Sequence, residues 1–197
     1  LKNIFIESKI IYARNCTISK LDYKTKSAFI NEYHFYGDSN QGTISYGLYY
    51  NNELVSVMSF GKLRGQNKLH NNKDHYELVR FVTKDNVRIV GGASKLFKKF
   101  ISEYQPVYII CYSDNDFFSG NIYERLGYTF SGYTNPRYYW YLNGVELKRE
   151  KCQLKYLKEM YKDIYDEALK ENTSNKETYI MTKLNASQVY RSGKTKW

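Results

Sequence analysis

The sequence lacks paired cysteines, long apolar runs and any excess of acid. Its three cysteines, Cys16, Cys111 and Cys152, are odd in number and far apart, and no two have metal-ligand spacing. That speaks against a disulfide framework and a zinc site, and for a reduced, intracellular compartment. No apolar run approaches the roughly 20 residues of a membrane span, and the N-terminal stretch lacks a signal-peptide pattern. A cytoplasmic protein without a membrane partner is expected. The chain begins at Leu1, which leaves room for an initiator or an upstream segment. No internal repeat is visible.

What is present is basic and aromatic. Thirty Lys and Arg against twenty Asp and Glu give a net charge of +10 over 197 residues. Such an excess suits a polyanionic partner such as nucleic acid, and it also serves plain solubility. Residues 1–144 carry 18 basic and 12 acidic residues and 145–197 carry 12 and 8, so no isolated basic tail exists. The 22 tyrosines and 10 phenylalanines suit either base stacking or half-buried strand surfaces.

Periodicity predicts a strand over 4–18, then a helix over about 20–34 with a weak capping box at Ser19-x-x-Asp22. "TISYGLYY" and "ELVSVMSF" flank Asn51-Asn52, predicting a β-hairpin over 43–61. The polar loop "RGQNKLHNNKD" follows. In "HYELVRFVTK", alternation places Tyr76, Leu78 and Arg80 on one face and Glu77, Val79 and Phe81 on the other. After Gly91-Gly92, residues Ala93, Leu96, Phe97, Phe100, Ile101 and Tyr104 form a helical stripe, with Lys95, Lys98 and Lys99 facing away. "PVYIICYS" reads as a buried strand and "SGNIYERLGY" as a short helix closed by Gly127. Two strands, "YTFSGYT" and "PRYYWYL", precede a helical stripe through Leu147, Leu154, Leu157, Tyr161, Ile164 and Ala168. A polar linker then leads into the tail 177–197. The order predicts a mixed α/β domain over 1–144 with one central sheet, and a helical appendage with a basic tail over 145–197.

The segment "VRIVGGASKLFKKF", 87–100, joins a strand to a lysine-rich helix. A helix N-terminus offers unpaired N–H groups to a phosphate, and glycines allow close approach; equally, the glycines can serve only to reverse the chain. The spacing Arg88-x-x-Gly91-Gly92-Ala93 resembles the pyrophosphate-binding motif of the GNAT N-acyltransferases. "NIYERLGY", 121–128, is similar to that family's segment bearing a tyrosine near the leaving thiol. The resemblance covers roughly 10–142. It implies a central, mostly antiparallel sheet flanked by helices, and acetyl-coenzyme A or another acyl-coenzyme A as cosubstrate. The implied cofactor residues are Phe81, Val82, Arg88, Val90, Gly91, Gly92, Ala93, Ser94, Asn121 and Tyr123, with Tyr123 at the sulfur. Glu77 stands on the strand where many members carry a general base; the alternative is a strand-edge carboxylate paired with lysine.

A narrower resemblance runs through "NEYHFYG", "YSDNDFFSGNIYERLGY" and the closing "VYRSGKTKW". These are similar to phage-encoded GNAT-like proteins, namely the Mom DNA-modification group and the C-terminal regions of Hef-like homing endonucleases. No nuclease motif is present. This resemblance implies His34 and Asp114 as active-site residues and DNA as acceptor, in the cytoplasm of a host cell. The residues alone also allow His34 a helix-end role, and Asp114 and Asp116 turn and N-cap duty. No metal is expected, since His34 and Asp114 alone identify none. Other acceptors remain open: an aminoacyl-tRNA or a protein amine. So does a non-catalytic DNA-binding module whose Trp197 would stack on bases while tail lysines meet phosphates.

Overall fold

The computed structural model describes residues 8–63 and 74–197. The "RGQNKLHNNKD" loop, Asp74 excepted, and the start of the 4–18 strand lie outside the described residues. The chain divides into two compact units. One comprises residues 1–113, 120–132 and 195–197, the other 114–119 and 133–194. The boundary expected at 144 therefore moves: the second unit is an insertion in the chain, and the last three residues return to the first.

In the first unit the expected strand over 4–18 is two strands, β1 (Lys9–Tyr12) and β2 (Thr17–Lys20), broken by a 3-10 turn at Ala13–Asn15. Helix α1 (Tyr23–Tyr33) starts at Asp22, whose carboxylate accepts the Thr25 N–H at 2.9 Å. Asp22 is thus the N-cap itself, and the box expected at Ser19 does not form. The hairpin appears as β3 (Ile44–Tyr50) and β4 (Glu53–Lys62), with Asn51 and Asn52 both at positive φ. Strands β5 (His75–Thr83) and β6 (Val87–Val90) lead to α2 (Gly92–Tyr104), β7 (Tyr108–Ile110), β8 (Tyr112–Asp114), α3 (Asn121–Arg125) and β9 (Gly132–Tyr133). The expected "PVYIICYS" strand is interrupted at Cys111.

The fold is mixed α/β. Its central sheet has the order β2-β3-β4-β5-β7; every pair is antiparallel except β5–β7, whose parallel pairing needs the α2 crossover. A second, parallel pair joins β1 to β6. Helices cover both faces of the sheet. On one, Phe100 of α2 stacks on Phe60 at 3.7 Å and meets the Tyr76 ring edge-on at 5.1 Å. On the other, Phe29 and Ile30 of α1 pack with Val57 and Val82. Lys95 does not face away as expected: its ammonium donates to the carbonyls of Ala13 and Cys16 at 2.8 and 2.6 Å, tying α2 to the 3-10 turn.

Two further features override the sequence pattern. In β4–β5 the register runs Ser59↔Arg80 and then Phe60↔Leu78, so Val79 is a bulge residue. The bulge shifts the alternation: Phe81 packs with Tyr76 and Leu78 on the α2 side, while Val82 points to α1. Glu77, Val79 and Phe81 therefore do not share a face. Trp197 is buried, not a base-stacking surface. It exchanges backbone hydrogen bonds with Cys111 at 3.0 and 3.2 Å, and its indole N–H donates to Ser113 Oγ at 3.0 Å.

The second unit holds β10 (Arg137–Leu142), β11 (Val145–Glu146), α4 (Leu154–Met160), α5 (Lys162–Lys170), α6 (Lys176–Lys183) and β12 (Ser187–Arg191). The chain then enters β13 (Lys194–Lys196). The appendage is therefore not purely helical: β10 forms the centre of an antiparallel three-stranded sheet, β11-β10-β12. Trp140, Cys152, Leu157, Ile180 and Met181 make its core. The Glu177 carboxylate accepts from the Trp140 indole at 2.9 Å and the Tyr138 hydroxyl at 3.1 Å, which satisfies both donors at the core's edge. Among the described residues no helix is long and apolar enough to cross a membrane.

One buried ion pair fixes the segment after α1. Lys26 reaches both carboxylate oxygens of Asp38 at 2.8 and 3.0 Å, with the two side chains 2% and 7% exposed. The Asp38 N–H donates to Asn31 Oδ1 at 2.8 Å. Burial alone would raise the Asp38 carboxyl, but the Lys26 ammonium and the Ser39 and Ser27 donors outweigh it and hold the carboxyl below its ordinary value. Lys26→Met should cost about 3–5 kcal/mol, because it leaves a buried charge unpaired. A carboxyl held low stabilises above its unfolded pKa and loses that contribution as pH falls through the folded value. Urea midpoints should therefore separate wild type and variant widely at neutral pH and converge in acid.

Candidate active site

Strand β5 pairs with β7 only over His75–Glu77. From Leu78 to Thr83 no strand covers that edge among the described residues, so its peptide groups face a gap. A cleft of 460 Å³ opens there, between Phe81 and Thr83, the Arg88–Ser94 turn, and Ile122, Arg125 and Leu126 of α3. At the turn, Gly91 is the N-cap of α2 with φ +78°, a conformation that favours glycine. Gly92 is glycine for a different reason: a Cβ there would meet Ile89 at 2.8 Å and Leu48 at 3.3 Å. The turn thus reverses the chain and also aims first-turn amides at the cleft. The N–H groups of Gly92, Ala93 and Ser94 have no partner within α2. Arg88 and Arg125 line the same cleft, and neither makes an ion pair among the described residues. Two cations and a helix N-terminus converge on one open space, an arrangement suited to a diphosphate.

Of the residues expected at a cofactor, Phe81, Arg88, Gly91, Gly92, Ala93 and Ser94 line this cleft. The Val82 side chain does not, because the bulge turns it into the α1 cluster. Val90 lies at the exposed end of β6, paired with Tyr12, and Asn121 is exposed at the start of α3; neither lines the cleft. Arg125 went unrecognised in the sequence. Its signal was the spacing Ile122, Arg125, Leu126, which puts three side chains on one face of α3.

Beyond the cleft, Arg80 organises the other candidates. Its Nε donates to the Gly37 carbonyl and its Nη1 to the bulge carbonyl of Val79, each at 2.9 Å. Burial lowers the guanidinium from its ordinary value; Asp38, Glu77, Tyr123 and Tyr36 act in the opposite sense. These side chains therefore surround Arg80 within electrostatic range. Glu77 is half-buried where β5 and β7 part. Tyr123 is half-buried, its ring 6.0 Å from Trp197 and 5.8 Å from Tyr128. Burial, then Cys111, pushes its hydroxyl up to about 12 against the pull of Arg80, so it stays protonated and can donate.

His34 is the C-cap of α1. Its Nδ1 accepts the Tyr36 N–H at 3.1 Å, which assigns the ring proton to Nε2. Burial, helped by Arg80, lowers it from 6.5 to about 4. The imidazole is thus neutral and presents a donor, an awkward form for a base and a good one for orienting an acceptor. A charged histidine stabilised at the helix end, as the sequence allows, does not arise.

Asp114 closes β8 and belongs to the second unit. Its carboxylate accepts the Asp116 N–H at 3.0 Å, and its carbonyl accepts from Phe118 at 2.9 Å. Asp116 accepts from the Ser192 N–H at 3.1 Å. Asp114 therefore performs turn duty, while Asp116 anchors the loop to the segment after β12. The described residues contain no group of three or more side chains able to hold a metal ion.

No family model matches the sequence, and no curated protein matches it. Solved structures resemble it in part. An acetyltransferase from Bacillus subtilis in complex with CoA is 14% identical, with a TM-score of 0.45 over 66% of this chain and 91% of its own. The ribosomal-protein-S18-alanine N-acetyltransferase from Escherichia coli is 17% identical, with a TM-score of 0.46 over 66% and 88%. A GNAT family acetyltransferase from Elizabethkingia anophelis with acetyl-CoA bound is 18% identical, with a TM-score of 0.40 over 68% and 93%.

The low proton affinity of His34 has a measurable consequence. Between 6.5 and about 4 the unfolded chain binds a proton at this position that the folded chain refuses, so stability falls as pH drops through that window. Stability measured by urea unfolding should thus decline more steeply with acidification in the wild type than in His34→Gln.

Proposed function

We propose that the first unit is an acyl-coenzyme A-dependent N-acyltransferase of the GNAT type, acting on nucleic acid with a DNA base amine as the acceptor. The observation that carries this reading is the cleft at the α2 N-terminus, where Arg88, Arg125 and the first-turn amides meet along the open edge of β5. The residues fit the cosubstrate. Arg88, Arg125 and the amides of Gly92 to Ser94 would hold its pyrophosphate, and the peptide groups of β5 would meet its amide-bearing arm. Bound acetyl-coenzyme A would supply an acyl group activated as a thioester.

The remaining work is proton management. As the acceptor amine attacks the thioester carbonyl it must lose a proton, and the departing sulfur must receive one. Glu77, at the parting of β5 and β7, is the base in this reading. Tyr123 is the donor to sulfur, and Arg80 beside it stabilises negative charge. His34 serves as a hydrogen-bond donor that orients the acceptor. The net charge of +10 suits a polyanionic acceptor. A base amine within a duplex would have to be flipped out or met on a single strand. Asp114 enters only through the resemblance to the Mom group.

Nucleoside mass spectrometry after incubation with acetyl-coenzyme A and either DNA or charged tRNA tests the acceptor. An acylated base supports the reading, and product on charged tRNA alone redirects it. No product on either, with cofactor binding intact, leaves a binding module on a transferase scaffold.

Cofactor binding has its own test. Acetyl-coenzyme A should raise the melting temperature, and Arg88→Ala with Arg125→Ala should weaken its affinity roughly tenfold or more, since charge-assisted bonds are the strong ones. Gly92→Asp would confound the test, because its Cβ meets Ile89. Glu77→Gln should lower turnover by roughly 10²–10⁴ while sparing that affinity. Asp114→Asn should stay near wild type. The reverse ranking would favour the narrower Mom-like assignment.

A further inference from the structure

We propose that the second unit binds single-stranded nucleic acid along the open edge of β10, with Arg137 and Arg149 on phosphates and Tyr139 against a base. This rests on the nucleic-acid half of the reading above and is independent of acyl transfer.

The edge is open because β11 is only two residues long. On one side β10 pairs with β12 from Arg137 to Tyr141; on the other, β11 reaches only Tyr141 and Leu142. A cleft of 330 Å³ occupies the uncovered stretch, lined by Pro136, Arg137, Tyr138, Tyr139 and Arg149.

The charges at this edge are not internally balanced. Arg137 stands directly opposite Arg191 across the β10–β12 pair, a like-charge pairing that disfavours the sheet. Arg191 is compensated by Glu146 at 3.2 Å. Arg137 makes no ion pair among the described residues. Arg149 leans on the Tyr138 hydroxyl, its one ion pair is a long 3.8 Å contact to Glu177, and its side chain is 67% exposed. That carboxylate already serves Trp140 and Tyr138. Two exposed guanidinium groups are thus available to anions.

The aromatics complete the surface. Tyr138 and Tyr139 project from opposite faces of β10 at the same edge. Arg149 lies 5.8 Å from the Tyr138 ring. Arg191 lies 4.8 Å from the Tyr139 ring and 5.9 Å from Phe117, which is half exposed. Rings braced by guanidinium groups beside unpaired arginines suit alternating bases and phosphates. Neither an acidic peptide nor a free phosphate would use the rings.

Anisotropy of labelled oligothymidylate and oligouridylate with the full chain tests this, the two arms separating DNA from RNA. Wild type should bind at least one at low salt. Arg137→Ala with Arg149→Ala should weaken binding roughly tenfold or more. It should also flatten the slope of log affinity against log salt by about 1.4, at roughly 0.7 per phosphate contact. Tyr139→Ala should weaken binding without changing that slope. Lys155→Ala with Lys170→Ala, which removes equal charge from α4 and α5, should bind as wild type.

The proposal is overturned if no oligonucleotide binds, if the arginine pair binds as wild type, or if the lysine pair loses as much. A duplex that binds as tightly and responds equally to the arginine pair also overturns it. The acetyl-coenzyme A melting shift separates the two readings. Oligonucleotide loss with the shift intact supports this surface alone. A missing shift in wild type, with the oligonucleotide pattern intact, sinks only the transferase.

Discussion

One unpaired residue in β5 sets the geometry of the first unit. Because Val79 bulges, the strand presents Tyr76, Leu78 and Phe81 to α2 and reserves Val82 for α1. Arg80, next along, folds back onto the bulge carbonyl and onto Gly37, so the segment after α1 is held against the sheet. The buried Lys26–Asp38 pair fixes that same segment from the helix side. His34, Glu77 and Tyr123 owe their shared surroundings to this arrangement. In a regular strand the alternation would carry through, and Arg80 would lie on the same face as Tyr76.

Net charge alone says little about which cations are available. Lys26 and Lys95 are consumed inside the fold, one by Asp38 and the other by two carbonyls. Arg80 is spent on two backbone oxygens. Among the described residues, Arg88 and Arg125 in one unit, and Arg137 and Arg149 in the other, line clefts without a close ion-pair partner. The two clefts differ in construction, one built on a helix N-terminus and the other on an uncovered strand edge.

Local features were legible in the sequence. The Asn-Asn hairpin, the α2 stripe and the strand–glycine–helix turn each carry their signal within a few residues, and six of the expected cofactor residues line the cleft. What escaped depends on partners distant in sequence. A bulge leaves no trace in a period-two pattern until the facing strand is known. Lysines at helical positions read as solvated, yet Lys26 meets an aspartate twelve residues on and Lys95 meets a turn about eighty residues back. Trp197 looked like a tail residue because nothing near it reveals Cys111 and Ser113 as its neighbours.

The placement of Trp197 also bears on the order of synthesis. Its ring fills the space beside Gly120, where even a single carbon added to the glycine would lie 2.5 Å from the indole. Residues 133–194 must emerge from the ribosome before that ring is delivered. The first unit, begun earliest, is therefore finished last. Until then Cys111 lacks its Trp197 backbone partner and Ser113 the indole N–H that donates to it.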